Sequence, residues 1–377
     1  MIKRLYVHNF RTLVNFSIEF GRMNLLLGPN GSGKSSVLDV LDRLRRFLSG
    51  ESPPVKDIFP PEDCTRWENR MEPVQKFEVT LADDSGKTWE YQLTIGHNRK
   101  LEKNRVAREI LLHDGKPLFR FDIESGAPGR LYRDDYSEGP EYMFDWRRSG
   151  VGSVDKKPFV NNRLVTFRER FQSLFVVKMH LPDISSEALG EDEILRQDLK
   201  NFASWYRHVS QERQGQVFEL ISALREILPG FDSMNLQIAG ESKLLNAVFS
   251  DEKGDPIPYR FAELSDGQKV LIILYALLHC VPKKDVILCI DEPENYLALP
   301  EVQHWLDALE REVAGERKQA ILISHHPRLI NLLAGNAGQW FSREAAGLPT
   351  RVKPIAPIEE DGLPASKLLE MGWLVDD

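Results

Sequence analysis

The sequence predicts an α/β fold with a mixed or parallel sheet, and two observations carry that prediction. The segments DVILCI (285–290) and QAILIS (319–324) are continuous apolar runs without alternation, as in strands that helices cover on both faces. Helical patterns flank them, over residues 265–280 and from about residue 300. Strand and helix therefore alternate along the chain, which is typical of a parallel sheet.

The beginning of the chain predicts a strand, a glycine-rich loop and a helix in succession. Residues 3–10 and 13–21 read as two strands, and the apolar run 24–27 reads as a third. The helix that follows is ended by GESPP at residues 50–54. Its apolar residues recur at helical spacing: Val37, Leu38, Leu41, Leu44 and Leu48.

The middle of the chain predicts an inserted α+β region, 49–230, between an N-terminal lobe, 1–48, and a C-terminal lobe, 231–377. Hairpins are expected within 76–95, 108–123 and 233–251, because alternating runs flank short turns there. Residues 124–163 are expected to be looped. Two helices are expected near 191–209 and 211–228.

Composition narrows the class of protein. The chain has 377 residues and a net charge of −8, which does not favour a protein that coats nucleic acid by bulk charge. The longest apolar run, residues 270–281, is shorter than the roughly 20 residues of a membrane helix, and no signal-peptide block is visible. Cys64, Cys280 and Cys289 lack disulfide or metal spacing. We expect a cytoplasmic protein that makes no membrane contact.

The segment GPNGSGKS matches the phosphate-loop pattern G-x-x-x-x-G-K-[ST]. Backbone N–H groups of such a loop converge on phosphates at a helix start, Lys34 neutralises phosphate charge, and the Ser35 hydroxyl ligates Mg²⁺. The sequence therefore predicts a P-loop protein that binds a nucleoside triphosphate together with Mg²⁺. The candidate nucleotide-binding residues are Gly28, Pro29, Asn30, Gly31, Ser32, Gly33, Lys34, Ser35 and Ser36.

Acidic residues follow the first buried strand, in VILCIDEPEN. Asp291 is the candidate to support the metal, and Glu292 is the candidate general base that polarises the attacking water. The alternative is a polar strand exit without chemistry. The phosphate loop earlier in the chain favours the catalytic interpretation.

A histidine pair follows the second buried strand, in ILISHHP. His325 is the candidate that senses the γ-phosphate, and His326 is its rival. A histidine at a strand end is more often structural, but its place after a strand parallel to the one bearing Asp291 favours the functional interpretation.

The segment LSDGQ admits two compatible interpretations. Ser265 and Gln268 match a capping box, S-x-x-Q, before a helix. A capped helix N-terminus is also an anion site. Ser265 lies 26 residues before Asp291.

Together these motifs resemble the ATP-binding-cassette type of ATPase, whose signature reads LSGGQ. The chain as a whole resembles the AAA-family ATPases of the SMC/RecF/OLD group, through the segments LYVHNFRTL, GPNGSGKSSVLDVL, FAELSDGQKVLI, ILCIDEPENYLALPEVQ, ILISHHPRLI and GLPASKLLEMGWL. The resemblance implies a P-loop fold of ABC-ATPase head type with an inserted α+β lid region. It also implies a head-to-tail homodimer or higher oligomer, in which Ser265 and the Gly267 backbone contact nucleotide held by the other subunit.

Two departures and one further candidate accompany the resemblance. Asp266 stands where the signature has its first glycine, and residues 297–300 read Leu-Ala-Leu-Pro where the family often has Leu-His-Pro. The Asp266 carboxylate could strengthen the helix cap. Gln75, placed before the first inserted strand, is the candidate Q-loop glutamine.

Two lengths in the sequence bear on what such an ATPase would control. Lys34 and Ser265 are 231 positions apart, and the residues between them show no heptad pattern for coiled-coil arms. The 52 residues after His325 are too few for a nuclease domain. If the system cuts nucleic acid, we expect the nuclease to be a separate effector protein. The resemblance to the SMC/RecF/OLD group implies a role in prokaryotic antiviral defence or DNA repair. Alternatives are the nucleotide-binding subunit of a membrane transporter and a regulatory scaffold with negligible turnover.

DNA is a candidate partner through basic residues of the inserted region. A solvated surface without a ligand is the commoner meaning of such clusters. The residues are Arg99, Lys100, Lys103, Arg105, Arg108, Arg147, Arg148, Arg163, Arg168 and Arg170.

Overall fold

The computed structural model describes residues 1–50, 52–67, 71, 73–83, 85–98, 100–101, 103–154, 161–179, 181, 184–282, 285–315, 318–356 and 362–372. The chain divides into two compact units. Unit 1 comprises residues 1–174 and 333–377, and unit 2 comprises residues 175–332. The positions of the sequence motifs divide the chain into three parts, at residues 48 and 230. That division stays a prediction.

The helices and strands have the following bounds. The strands are β1 (Ile2–His8), β2 (Phe16–Glu19), β3 (Met23–Leu27), β4 (Val74–Ala82), β5 (Thr88–Asn98), β6 (Lys103–His113), β7 (Lys116–Asp122), β8 (Gly129–Tyr132), β9 (Glu138–Tyr142), β10 (Leu174–Lys178), β11 (Glu187–Ala188), β12 (Phe231–Ala239), β13 (Ser242–Ser250), β14 (Pro256–Arg260), β15 (Ile287–Asp291), β16 (Gln319–Ile323), β17 (Gly338–Ser342) and β18 (Arg351–Pro354). The helices are α1 (Lys34–Phe47), α2 (Val55–Ile58), α3 (Asn162–Gln172), α4 (Phe202–Glu212), α5 (Gln214–Ile227), α6 (Asp266–His279), α7 (Leu299–Gly315), α8 (Pro327–Ala337) and α9 (Ala365–Glu370).

Unit 1 contains a long antiparallel sheet with the strand order β2-β1-β4-β5-β6-β7-β8-β9. Along β5, buried and half-exposed positions alternate at every residue, so one face of this sheet is covered and the other meets solvent. Unit 1 also pairs β3 with β17 in parallel and β17 with β18 antiparallel. The predicted hairpins β4–β5 and β6–β7 are confirmed.

Unit 2 contains the parallel pair that the sequence predicts. β15 and β16 run in parallel, in register from Ile287 opposite Gln319 to Asp291 opposite Ile323. The hairpin β12–β13 is also present, with β11 and β14 on the other edge of β13. Helix α6 is buried from Val270 to Leu278, which explains why this apolar run is a core element. Of the helices in the described part of the chain, none combines the length and apolar character that crossing a bilayer requires.

The segment 124–163 was expected to be looped, and that expectation is wrong in part. β8 and β9 form a short antiparallel hairpin there, and α3 begins at Asn162. The hairpin was missed because β9 is polar and carries Gly139 and Pro140, residues that depress strand propensity.

The helix expected near 191–209 begins only at Phe202. Before it, the Asn201 amide donates to the Asp192 carboxylate and to the Ile194 carbonyl. Leu199 has a left-handed backbone, with φ of 58°. These local side-chain hydrogen bonds satisfy backbone groups outside a helix and so compete with helix formation.

Candidate functional site

The phosphate loop lies between the end of β3 and the start of α1 in unit 1. Its three glycines have positive φ angles: 141° at Gly28, 77° at Gly31 and 104° at Gly33. Gly33 is also the residue that precedes α1. A residue with a side chain rarely adopts these angles, so the glycines of the motif are what allows the loop to turn into the helix.

Close packing adds a second reason for two of these glycines. A Cβ atom on Gly28 would lie 2.1 Å from the Phe341 carbonyl oxygen on β17. A Cβ atom on Gly33 would lie 2.5 Å from Thr350 Oγ1 and 3.0 Å from Thr12 Oγ1. Gly31 has open space around it. The loop therefore packs against the β17 backbone at Gly28 and against the hydroxyls of Thr12 and Thr350 at Gly33.

Thr12 and Thr350 support the phosphate loop from behind. Their hydroxyl oxygens lie 2.8 Å apart, and Thr350 Oγ1 donates to the Ser32 carbonyl at 2.8 Å. The Thr350 N–H donates to the Thr12 carbonyl at 2.9 Å. The two residues are 338 positions apart, so no spacing rule applied to the sequence could have related them.

Lys34 and Ser32 show that the loop is prepared for an anion. Lys34 is only 6% exposed, and its ammonium group donates to the carbonyls of Gly28 at 2.6 Å and Pro29 at 3.0 Å. Ser32 Oγ is buried without a hydrogen-bond partner among the described residues. A buried cation and an unused hydroxyl at a helix N-terminus fit the phosphates of a nucleotide. Ser35 and Ser36 follow on the first turn of α1 and are half-buried.

The acidic pair of unit 2 stands at the end of β15. Asp291 is the last residue of the strand and is half-buried, whereas Glu292 is exposed. The Glu292 N–H still donates to the Ile323 carbonyl at 2.8 Å. Glu292 nevertheless has φ of 54°, a conformation that costs energy in a residue with a side chain and is concentrated at functional sites. Its Oε2 accepts from the Asn295 amide at 2.7 Å.

Glu294 joins the acidic segment to the histidine segment, and the sequence analysis missed it. Its Oε1 accepts from Ser324 Oγ at 2.6 Å and from the His325 N–H at 3.2 Å. Its Oε2 is buried without a partner among the described residues. One half-buried carboxylate thus links the turn that follows Glu292 to the segment that presents His325. A third acid in DEPEN was the only signal for it.

The two histidines differ in what their main and side chains do. The Nδ1 atom of His326 accepts from the Arg328 N–H at 3.2 Å, so its ring caps the start of α8. The His326 N–H donates to Ser324 Oγ at 3.0 Å. His325 is exposed, and its N–H donates to Glu294 Oε1 at 3.2 Å. The structural role of the His326 ring supports His325 as the candidate sensor.

The signature segment forms the capping box that its pattern predicts. Ser265 Oγ accepts from the Gln268 N–H at 3.3 Å, and Gln268 Oε1 accepts from the Ser265 N–H at 3.1 Å. Asp266 lies 3.3 Å from the Lys269 ammonium on the same helix turn. A Cβ atom on Gly267 would lie 2.9 Å from the Tyr296 carbonyl. The start of α6 therefore touches the turn that follows the acidic pair.

Gln75 proves to be structural where the sequence suggested a Q-loop. It lies within β4 rather than before it, and it is fully buried. Its amide donates to the Asn9 carbonyl at 3.1 Å, and its carbonyl pairs with His97 Nε2 at 2.9 Å. Both functions of the amide are therefore used inside unit 1.

Within each unit, the structure brings the expected residues together. Unit 1 assembles the loop from Gly28 to Ser36 around the Lys34 ammonium. Unit 2 assembles the acidic pair and His325 through Glu294, and places the start of α6 beside the same turn. This arrangement provides a phosphate-binding loop in one unit. In the other unit, it provides an acidic pair and a carboxylate that holds the main chain of a histidine.

Comparisons with known proteins identify the family of this chain. Residues 23–331 match the family model described as "AAA domain, putative AbiEii toxin, Type IV TA system". A protein named OLD nuclease from Thermus scotoductus is 23% identical over 344 residues, which are 86% of this chain and 59% of that protein. The chain thus spans 59% of that relative's length.

Solved structures also resemble the fold. An SMC head domain bound to the C-terminal winged-helix domain of ScpA superposes with a TM-score of 0.51 at 14% identity, covering 94% of this chain and 98% of that one. An SMC head domain from Thermotoga maritima gives a TM-score of 0.45 at 15% identity with the same coverage. The first of these likenesses supports an ABC-ATPase head fold.

Proposed function

The chain belongs to the AAA-domain family described as putative AbiEii toxin of type IV toxin–antitoxin systems, within the SMC/RecF/OLD group of ATPases, and we propose that it is an ATP-hydrolysing switch. The single observation that carries the proposal is the phosphate loop. Its Lys34 ammonium is buried and donates to two carbonyls of the loop, and Gly28 and Gly33 leave no room for side chains. Such a loop is built to receive phosphate.

Each functional residue has a proposed role in ATP hydrolysis. Lys34 neutralises the charge of the β- and γ-phosphates, and the Ser35 hydroxyl together with Asp291 would hold Mg²⁺. The metal would supply charge neutralisation at the phosphates. Glu292 is the general base that orients and deprotonates water, and its unusual backbone angle is consistent with a carboxylate held for that purpose.

His325 is the proposed sensor of the γ-phosphate, acting by a hydrogen bond from its ring. Glu294 is a positioning residue, because it holds the main chain of His325 but has no proposed contact with the nucleotide. We therefore propose that the histidine segment moves in response to the γ-phosphate. Glu294 would carry that movement to the turn that follows Glu292.

We propose that ATP joins two copies head to tail, with Ser265 and the Gly267 backbone completing the partner's nucleotide site. Ser265 is exposed at the start of α6, which supports this arrangement. The N–H groups in the first turn of that helix form the positive end of the helix dipole and can bind an anion. The 53% exposed Tyr296 beside it is consistent with a surface that another protein covers.

Light scattering tests the dimer. Glu292→Gln is expected to bind MgATP without hydrolysing it and to reach twice the monomer mass, while Lys34→Ala should remain monomeric under the same conditions. A Glu292→Gln protein that stays monomeric in saturating MgATP would contradict the dimer.

The output of the switch is proposed to be control of a separate effector. The similarity to a protein named OLD nuclease makes a nuclease partner and a cytoplasmic role in antiviral defence or DNA repair the leading version. Co-purification of the Glu292→Gln variant with the product of a neighbouring gene, only when ATP is present, is the expected result. Capture that is equal without ATP would contradict switching.

A further inference from the structure

Only some of the basic residues predicted to contact DNA converge in the structure. Arg99 lies outside the described residues. Arg108 pairs with Asp122 at 3.7 Å, Arg163 pairs with Asp134 at 3.7 Å, and the Arg168 side chain donates to the Val154 carbonyl. Arg170 lies over the Trp89 ring, and neither it nor Lys100 lines the cavity described next. Lys103, Arg105, Arg147 and Arg148 meet in unit 1 around a cavity of about 800 Å³, here named the basic cleft, with Lys56 as an additional member. Its principal residues are Lys56, Lys103, Arg105, Trp146, Arg147 and Arg148.

The charge of the basic cleft contrasts with that of the chain. Five cationic side chains line it, and Asp145 is the acidic residue among the lining residues. Asp145 pairs with Arg147 at 2.9 Å. Within the part of the chain that the structure describes, Lys56, Lys103 and Arg105 have no ion-pair partner. A local excess of cations on a protein with net charge −8 points to an anionic ligand.

Aromatic surface accompanies these cations. Trp146 is 45% exposed, although its size would favour burial, and Phe144 lines the same cleft. The Trp146 ring is backed by Phe121 at a centroid distance of 6.1 Å. A partly exposed aromatic ring held among cations is the arrangement that stacks a base while its phosphates are neutralised.

A buried carboxylate builds the loop that carries Trp146, Arg147 and Arg148. Glu109 on β6 is fully buried, and it accepts from Ser149 Oγ at 2.5 Å and from the Gly150 N–H at 2.6 Å. The Val106 N–H donates to the Trp146 carbonyl at 2.7 Å. The loop is thereby fixed to the strand that bears Lys103 and Arg105, so the cleft is preorganised.

The same loop is tied to the far end of the helix that starts at the phosphate loop. Ser52 Oγ accepts from the Ser149 N–H at 3.0 Å and donates to the Phe47 carbonyl at 2.8 Å. Phe47 is the last residue of α1. The basic cleft and Lys34 therefore lie at opposite ends of one rigid element within unit 1.

We propose that the basic cleft binds single-stranded nucleic acid, with Trp146 stacking on a base and Lys103, Arg105, Arg148 and Lys56 contacting phosphates. This binding activity goes beyond the proposed ATP hydrolysis, and it can be tested without ATP. A double helix presents phosphates but no exposed base faces, so the aromatic part of the cleft selects the single strand.

The experiment measures anisotropy of a labelled oligothymidylate of about 20 nucleotides with the full chain in the absence of ATP. The double variant Lys103→Glu with Arg105→Glu is expected to weaken binding at least tenfold. It should also lower the slope of log affinity against log salt concentration by about 1.4, because each of the two lost phosphate contacts contributes roughly 0.7. Trp146→Ala should weaken binding about fivefold or more, with Trp146→Phe close to wild type.

The matched control is Lys87→Glu with Arg120→Glu, which changes net charge equally at two exposed positions outside the cleft, one in the turn between β4 and β5 and one in β7 of the same sheet. It should keep most of the affinity. Equal losses in the two double variants, tighter binding of a duplex of the same length, or competition by heparin with no effect of Trp146→Ala would each overturn the proposal. Melting temperatures of the variants separate loss of binding from loss of fold. ATPase activity is measured separately, so failure here leaves the proposed hydrolysis standing.

Discussion

The Glu294 carboxylate accepts the Ser324 hydroxyl at 2.6 Å, and this hydrogen bond ties the turn after the acidic pair to the segment that carries His325. The same oxygen also accepts the His325 N–H at 3.2 Å. β15 and β16 lie side by side in register up to this point. The link therefore sets the position of the proposed γ-phosphate sensor relative to the proposed general base.

The first prediction concerns that link. Glu294→Gln should lower kcat about tenfold and leave ATP affinity within about twofold, because it disturbs the position of His325 without touching the phosphate loop. Ser324→Ala, which removes one of the two donors, should have a smaller effect. Steady-state hydrolysis and equilibrium binding of a fluorescent ATP analogue measure both quantities. Wild-type kcat in Glu294→Gln would show that the link has no part in hydrolysis.

The phosphate loop gives a steric prediction. Gly28→Ala should destabilise the protein by about 3 kcal/mol and abolish nucleotide binding, because the new Cβ atom would meet the Phe341 carbonyl at 2.1 Å. Gly31→Ala, at a positive φ but in open space, should cost only about 1 kcal/mol. Urea denaturation and nucleotide titration compare the two. Equal effects would mean that backbone angle, and not contact with β17, governs the loop.

Variants of the capping box separate the role of Ser265 as a helix cap from its proposed contact with the partner's nucleotide. Ser265→Asp keeps a good N-cap, so stability should change by less than about 0.5 kcal/mol, yet its charge should repel the partner's nucleotide and prevent the ATP dimer. Gln268→Ala should cost about 1 kcal/mol and retain the dimer. Melting and light scattering in MgATP provide the readouts. A dimer that forms normally in Ser265→Asp would restrict Ser265 to capping.

Glu109 predicts a pH dependence of stability. Burial raises the pKa of this carboxyl above its ordinary value of 4.5, although hydrogen bonds from Ser149, Tyr91 and Gly150 oppose the shift. The folded state then holds the proton more tightly than the unfolded state, so the stabilisation is present below about pH 4.5 and is lost as pH rises through the raised pKa.

Glu109→Gln tests this sign. Relative to the variant, wild type should lose free energy of unfolding as pH rises from about 4.5 to about 7.5. Denaturant titrations at several pH values provide the comparison. The opposite slope would mean that the hydrogen bonds to the carboxylate outweigh its desolvation.

The sequence predicted the elements whose cause is local. The phosphate loop, the apolar strands β15 and β16 and the capped helix α6 each follow from periodicity or from residues within one short segment. The Thr12–Thr350 support and the Glu294 link depend on contacts between segments that are distant in sequence, so no local pattern contains them. Asn201 illustrates a third case, in which side-chain hydrogen bonds override a helical pattern and delay α4 to Phe202.

The measurement that most directly tests the account is the steady-state rate of ATP hydrolysis by wild type and by Glu292→Gln in the presence of Mg²⁺. The account predicts slow hydrolysis by wild type, loss of at least about a hundredfold in Glu292→Gln, and retained ATP binding in that variant. Hydrolysis by Glu292→Gln at the wild-type rate would contradict the assignment of Glu292 as the base.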